Sequence, residues 1–167
     1  MKVKTILAAL LLVASTGVFA QTAEKKQAVK KTEVSSFKSI DVDAQIDVVL
    51  IEDTKPGGIY LVGEEKLFGD IKLAVKDGEL QITSRKDMNY KSRITVEVHV
   101  NGLEKITVQK EAVVFSGNTI RSGKISVLLV GGGKASLKSS GDISISSGED
   151  TELMVLHKTA GVTVVNK

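Results

Sequence analysis

The last third of the chain, Leu103 to Val165, repeats itself. Short apolar strands begin at Ile106, Ile125, Ile143 and Val162, spaced 19, 18 and 19 residues apart. A second series, Ala112–Phe115, Ala135–Leu137 and Leu153–Leu156, falls between them. The turns are Ser-Gly pairs at Ser116-Gly117, Ser122-Gly123, Ser140-Gly141 and Ser147-Gly148, plus the triplet Gly131-Gly132-Gly133. A fixed period of this length marks stacked β structure. One period holding two strands makes one coil, and coils stack at the strand spacing of about 4.8 Å. Inward Ile, Val and Leu fill the interior, and glycine serves corners that need close approach or unusual φ. The expected fold is all-β: a right-handed β-helix-like solenoid of short coils with antiparallel strands at its N-terminal end. A β-sandwich or meander with evenly spaced hairpins is the alternative.

The preceding stretch supplies those N-terminal strands. Ile40, Val42, Ala44, Ile46, Val48 and Leu50 share one face, with Asp41, Asp43, Gln45 and Asp47 on the other. That is a half-buried strand pattern. It fades at Val49–Ile51, where both faces become apolar. Pro56-Gly57-Gly58 ends the run with a turn, Ile59–Val62 resumes as strand, and Glu64–Leu67 holds at most one helical turn. Asp77-Gly78 between alternating runs predicts a tight hairpin, because both central positions need positive φ. Arg85–Arg93 is a polar connection, Ile94–Val100 alternates again, and Asn101-Gly102 turns the chain into the repeats.

Residues 1–20 read as a secretory signal peptide. Lys2 and Lys4 precede the apolar run Ile6–Ala14, and Val18-Phe19-Ala20 suits cleavage before Gln21. The run is shorter than the roughly 20 residues of a bilayer span, so no transmembrane segment is expected in the mature chain. Residues 21–33 are lysine-rich and nearly devoid of apolar side chains, the composition of a flexible basic tether. Residues 34–167 are then a single β domain. With no Cys, disulfides, thiolate metal sites and a lipidated cysteine are excluded. The net charge of +3 belongs to the ends. Residues 1–33 hold six lysines and two glutamates, which leaves the body near neutral, with no field for nucleic acid.

Motifs for chemistry are weak throughout. Gly131–Ser136 imitates a phosphate loop, but Leu128 stands where the first glycine is required and Ala135 where the hydroxyl is. His99 and His157 are the only histidines, too few for a metal centre without converging carboxylates. Asp41, Asp43, Asp47, Glu52 and Asp53 could supply a carboxylate pair for a polysaccharide-active enzyme or a cation. On a strand, however, Asp41 and Asp43 stand about 6.6 Å apart on one wet face. No catalytic, cofactor or metal residue is therefore assigned. Function is expected in outward residues of the repeats such as Lys105, Gln109, Lys124, Lys138 and Lys158.

Phe37-Lys38-Ser39-Ile40-Asp41-Val42 through Ile46-Asp47-Val48, Val62-Gly63-Glu64-Glu65 and Val75–Ile82 together resemble the head GIN domain family, putative auto-transporter adhesins common in Bacteroidota. The Ser-Gly corners after Leu103-Glu104-Lys105-Ile106 are similar too, in a short or divergent member with Lys66 after the acidic pair. The resemblance implies an exported β-helix-like module, periplasmic or on the cell surface. It would be a non-enzymatic adhesin or envelope interaction protein with a protein or glycan ligand. A self-associating envelope structural protein, pairing through strand edges near Leu128-Leu129-Val130, is the other expectation.

Overall fold

The computed structural model describes residues 27–85 and 93–148, and the backbone of 162–166. The signal segment, His157, Lys158 and Leu153–Leu156 lie outside the described residues.

Two mixed sheets hold all the described strands. The first, sheet A, contains β1 (Ala28–Glu33), β3 (Asp47–Glu52), β4 (Gly58–Gly63), β7 (Thr95–Val100), β9 (Val113–Ser116) and β11 (Lys134–Ser136), in the order β1-β4-β7-β3-β9-β11. Sheet B contains β2 (Ser39–Asp43), β5 (Ile71–Lys76), β6 (Glu79–Ser84), β8 (Lys105–Val108), β10 (Lys124–Leu129), β12 (Asp142–Ser147) and β13 (Val162–Asn166), in the order β13-β12-β10-β8-β2-β6-β5. One 3₁₀ turn, Glu65–Asp70, sits between β4 and β5 and buries Phe68. The all-β expectation holds, and so do antiparallel strands early in the chain: β1 on β4, β4 on β7, and β5 on β6. Among the described residues both sheets stay open, at β1 and β11 and at β13 and β5.

Period-two patterning decides which side of each strand is dry. Ile40, Val42, Ile46, Val48 and Leu50 are all fully buried, as are Leu80 and Ile82 and the inward residues Val96 and Val98. They join Ile106, Val108, Val114 and Ile125 in one cluster to which both sheets contribute. The β5–β6 hairpin turns on Asp77 (φ 50°) and Gly78 (φ 75°), the positive pair that a two-residue connection matching strand twist demands.

The chain steps repeatedly from one sheet to the other, β2 to β3, β6 to β7, β8 to β9 and β10 to β11, and the corresponding strands run parallel. Ile125 pairs with Ile143 and Ile143 with Val162, at the spacing the repeat sets. Ile106 pairs with Val127 rather than with Ile125. A slip of two residues keeps each side chain on its own face, so the core pattern survives the altered register.

The tether reading of 21–33 is corrected over Ala28–Glu33, which is an edge strand of sheet A. Main-chain bonding to β4 orders it with little apolar burial beyond Ala28, and lysines on an edge strand discourage further pairing. At the starts of β3 and β9, the Arg93 guanidinium reaches the carbonyls of Ile46 and Glu111, both at 3.0 Å, and Asp47 at 2.9 Å. One planar fork thereby ties neighbouring strands together.

Candidate functional site

The outer face of sheet A carries an unusual composition. Val48 and Leu50 point into the core, so Val49 and Ile51 of the same strand must point out. Register sets Val49 beside Phe115 of β9 and Glu97 of β7, and Ile51 beside His99. Phe115 is 37% exposed. Gly117 follows β9, and a Cβ there would stand 2.5 Å from Ile51 Cδ1 and 3.4 Å from Val49 Cγ1, so the two aliphatic side chains lie over it. With Val113 on the same face of β9, the result is an apolar block of four residues on a solvent-facing sheet.

A titratable cluster borders that block. His99 Nδ1 lies 2.7 Å from Asp53 Oδ2, and its Nε2 lies 3.0 Å from Glu97 Oε1. The Tyr60 ring packs against the imidazole at 5.3 Å, and Lys31, paired with Glu33, stands 5.8 Å from the Tyr60 centroid. Two carboxylate acceptors on one ring call for two N–H donors, which is the imidazolium form. Partial burial pushes the His99 pKa down, but the hydrogen bonds to Asp53 and Glu97 and their charges outweigh it, and the net shift is upward from 6.5. Asp53 is held below 3.8, first by the His99 hydrogen bond and then by the Lys55 backbone N–H. Both ring nitrogens are engaged, so the ring serves as a clamp on the Asp53–Gly57 turn rather than as a base.

Comparison with known proteins places this architecture. The family model described as putative auto-transporter adhesin, head GIN domain, matches residues 36–164. The chain belongs to the head GIN domain family. A putative adhesin of Bacteroides fragilis is 18% identical, with a TM-score of 0.53, covering 86% of this chain and 98% of that one. A putative adhesin of Parabacteroides distasonis is 17% identical at a TM-score of 0.53, covering 75% and 69%. A putative lipid binding protein of the same species is 11% identical at 0.57, covering 86% and 68%. At these identities the likeness is one of fold. No curated protein matches the chain.

In this head GIN domain the acidic residues singled out in the sequence are dispersed, each onto its own partner. Asp41 accepts from Gln109, Asp43 pairs with Lys110, Asp47 with Arg93, Glu52 with Arg121 and Asp53 with His99. No two of them converge as a catalytic pair would. The triplet Gly131-Gly132-Gly133 is a corner leading into β11, a strand and not the helix of a phosphate loop. Among the outward residues, Gln109 is occupied by Asp41, Lys138 is exposed and bonded through its backbone to Ser116, and Lys105 and Lys124 line one groove. Sequence reasoning set His99 on a wet face but missed its clamp. Asp53 and His99 are 46 positions apart, and only the parallel pairing of β3 with β7 unites them.

The clamp sets a pH window. A raised His99 pKa means stability that is fully present below 6.5 and lost as pH rises through the folded value. A depressed Asp53 pKa means stability that is present above 3.8 and lost as pH falls through its folded value. Chemical unfolding from pH 4 to pH 9 is therefore expected to show an alkaline decline that His99→Gln flattens. An unchanged profile in that variant refutes the clamp.

Proposed function

We propose that this chain is an exported, non-enzymatic recognition module of the cell envelope, binding a protein or glycan partner through the outer face of sheet A. The apolar block of half-buried Val49, Ile51 and Val113 around the exposed Phe115 carries this reading, since adjoining apolar side chains on an outer sheet face mark an interaction site. The adhesin naming of the family and of the similar structures supports it. Cleavage before Gln21 delivers the chain to the periplasm or the cell surface, and among the described residues no helix is long and apolar enough to cross a membrane. The alternation of parallel strands between sheets supports a short stack of coils as the architecture, with β2–β3, β6–β7, β8–β9 and β10–β11 each forming one coil. The test is retention of the purified chain on envelope fractions, matrix proteins and uncharged glycans. Phe115→Ser is expected to lower retention about tenfold with an unaltered unfolding midpoint. Equal retention of both proteins, or none of either, sinks the reading.

Self-association is the second reading, and one observation favours it. Leu128 and Val130 are 38% and 39% exposed beside the buried Leu129. Sedimentation equilibrium at high concentration decides it: a dimer lost on Leu128→Ser supports it, and a monomer throughout removes it.

A further inference from the structure

Three neighbouring strands of sheet B carry a cation at their first residue or just before it. Lys38 immediately precedes β2, Lys105 opens β8 and Lys124 opens β10, and these strands are adjacent in the sheet. Arg121 joins them from the loop before β10. Its Nε and backbone N–H are both held by Glu52, whose side chain is only 5% exposed, so the guanidinium stem is fixed from below. These four cations line one shallow groove. The rest of its lining is Ser39, Ser122, Ser126, two glycines and a single acid, Glu104. Glu104 is drawn to Lys38 at 3.3 Å, and Lys105 reaches Glu79 at 3.7 Å. Among the described residues Lys124 has no ion-pair partner.

We propose that this groove binds an acidic polysaccharide, a linear glycan carrying carboxylate or sulfate groups at regular intervals. The cations recur at the strand spacing, so Lys38 and Lys124 start strands about 10 Å apart. A small anion meets one of them, whereas a chain of anions laid across the strands meets all. The groove's serine hydroxyls and exposed backbone suit the hydroxyls of a sugar. A peptide would need somewhere to place apolar side chains, and no apolar side chain lines the groove. A nucleic acid would gain from aromatic stacking, and no aromatic ring lines it either. The groove lies along the starts of sheet B strands and shares no residue with the apolar block of sheet A. The proposal goes beyond that reading and stands or falls separately.

The full chain is titrated with heparin and with polygalacturonate at low and at physiological salt. Saturable binding that weakens with salt is expected. Lys105→Ala with Lys124→Ala should weaken it about tenfold, since two of the four cations facing the ligand are lost. Glu104→Gln should tighten it about threefold by removing the one like charge. A gain of affinity cannot come from misfolding, so this variant keeps the test decisive. Phe115→Ser should leave binding unchanged, which separates this site from the sheet A face. Four results overturn the proposal: no binding of either glycan, binding that persists in the double lysine variant, binding that disappears instead when Lys25, Lys26 and Lys30 become alanine, or equal affinity for single-stranded DNA or polyglutamate.

Discussion

Leu50→Ala is expected to cost about 3 kcal/mol of unfolding free energy, within the range for truncating a large aliphatic side chain in a tight core. Leu50 is completely buried, on the central strand β3, with β7 on one side and β9 on the other. The core cluster to which it belongs draws side chains from both sheets, so the cavity is not expected to close by moving one strand. Next door, Val49 points outward and is only half-buried. Val49→Ala should cost well under about 1 kcal/mol, as surface changes do. Two substitutions one residue apart, both removing aliphatic carbon, are thus expected to differ at least threefold in their effect on the urea midpoint. Domain stabilities run to about 5–15 kcal/mol, so the larger loss leaves a folded but visibly weakened protein. Equal midpoints for the two variants would mean that the facing of β3 is wrong.

Faces were legible in the sequence, and neighbours largely were not. Alternation along Ile40–Leu50 and Ile94–Val100 identified the buried side residue by residue, because period two leaves no choice once one face is dry. But the single strand read over Ile40–Leu50 is two, β2 in sheet B and β3 in sheet A, since a corner between Asp43 and Asp47 keeps the buried parity and hides the break. Asp77-Gly78 announced its hairpin for an equally local reason. The repeat announced parallel stacking among β10, β12 and β13. It did not reveal that β6 and β7 stack on the far side of β2 and β3, so that β2 sits between β6 and β8. Which side of an existing strand accepts the next one depends on contacts distant in the chain, and no spacing records it. Edge strand β1 escaped notice because its order comes from main-chain bonds to β4, and main-chain bonds leave no mark on composition.

The candidate site divides along the same line. The loss of alternation at Val49–Ile51 flagged half of the apolar block in advance. Phe115 joined it only through the register of β9. The cationic groove gathers Lys38, Lys105 and Lys124 from positions far apart in sequence, and it exists because β2, β8 and β10 are neighbours whose first residues lie within two positions of one another in register. Lys105 and Lys124 stood among the outward residues expected to carry function, but their convergence required the fold.

The Ser-Gly corners show how much one dipeptide can conceal. Ser122-Gly123 and Ser140-Gly141 are identical in sequence and stack directly on each other, with the Asp142 N–H donating to the Gly123 carbonyl at 3.1 Å. Neither glycine has a left-handed φ, so backbone conformation alone excludes alanine from neither. Space separates them. A Cβ on Gly141 would press into the carbonyl oxygens of Ser122 and Gly123, which are backbone and cannot swing aside. A Cβ on Gly123 would meet nothing within 4 Å. Gly141→Ala must therefore push β12 away from the β10 corner or break the Asp142 bond, at an expected cost of about 3 kcal/mol. That corresponds to a fall of roughly 10 °C in Tm. Gly123→Ala should instead stabilise the fold by up to about 1 kcal/mol and so raise Tm slightly, because alanine restricts the unfolded chain where the folded one accommodates it. Opposite signs from the same substitution in the same dipeptide are a sharp expectation for thermal melts. If both variants melt alike, the two corners are not stacked as described, and the parallel pairing of β10 with β12 fails with them.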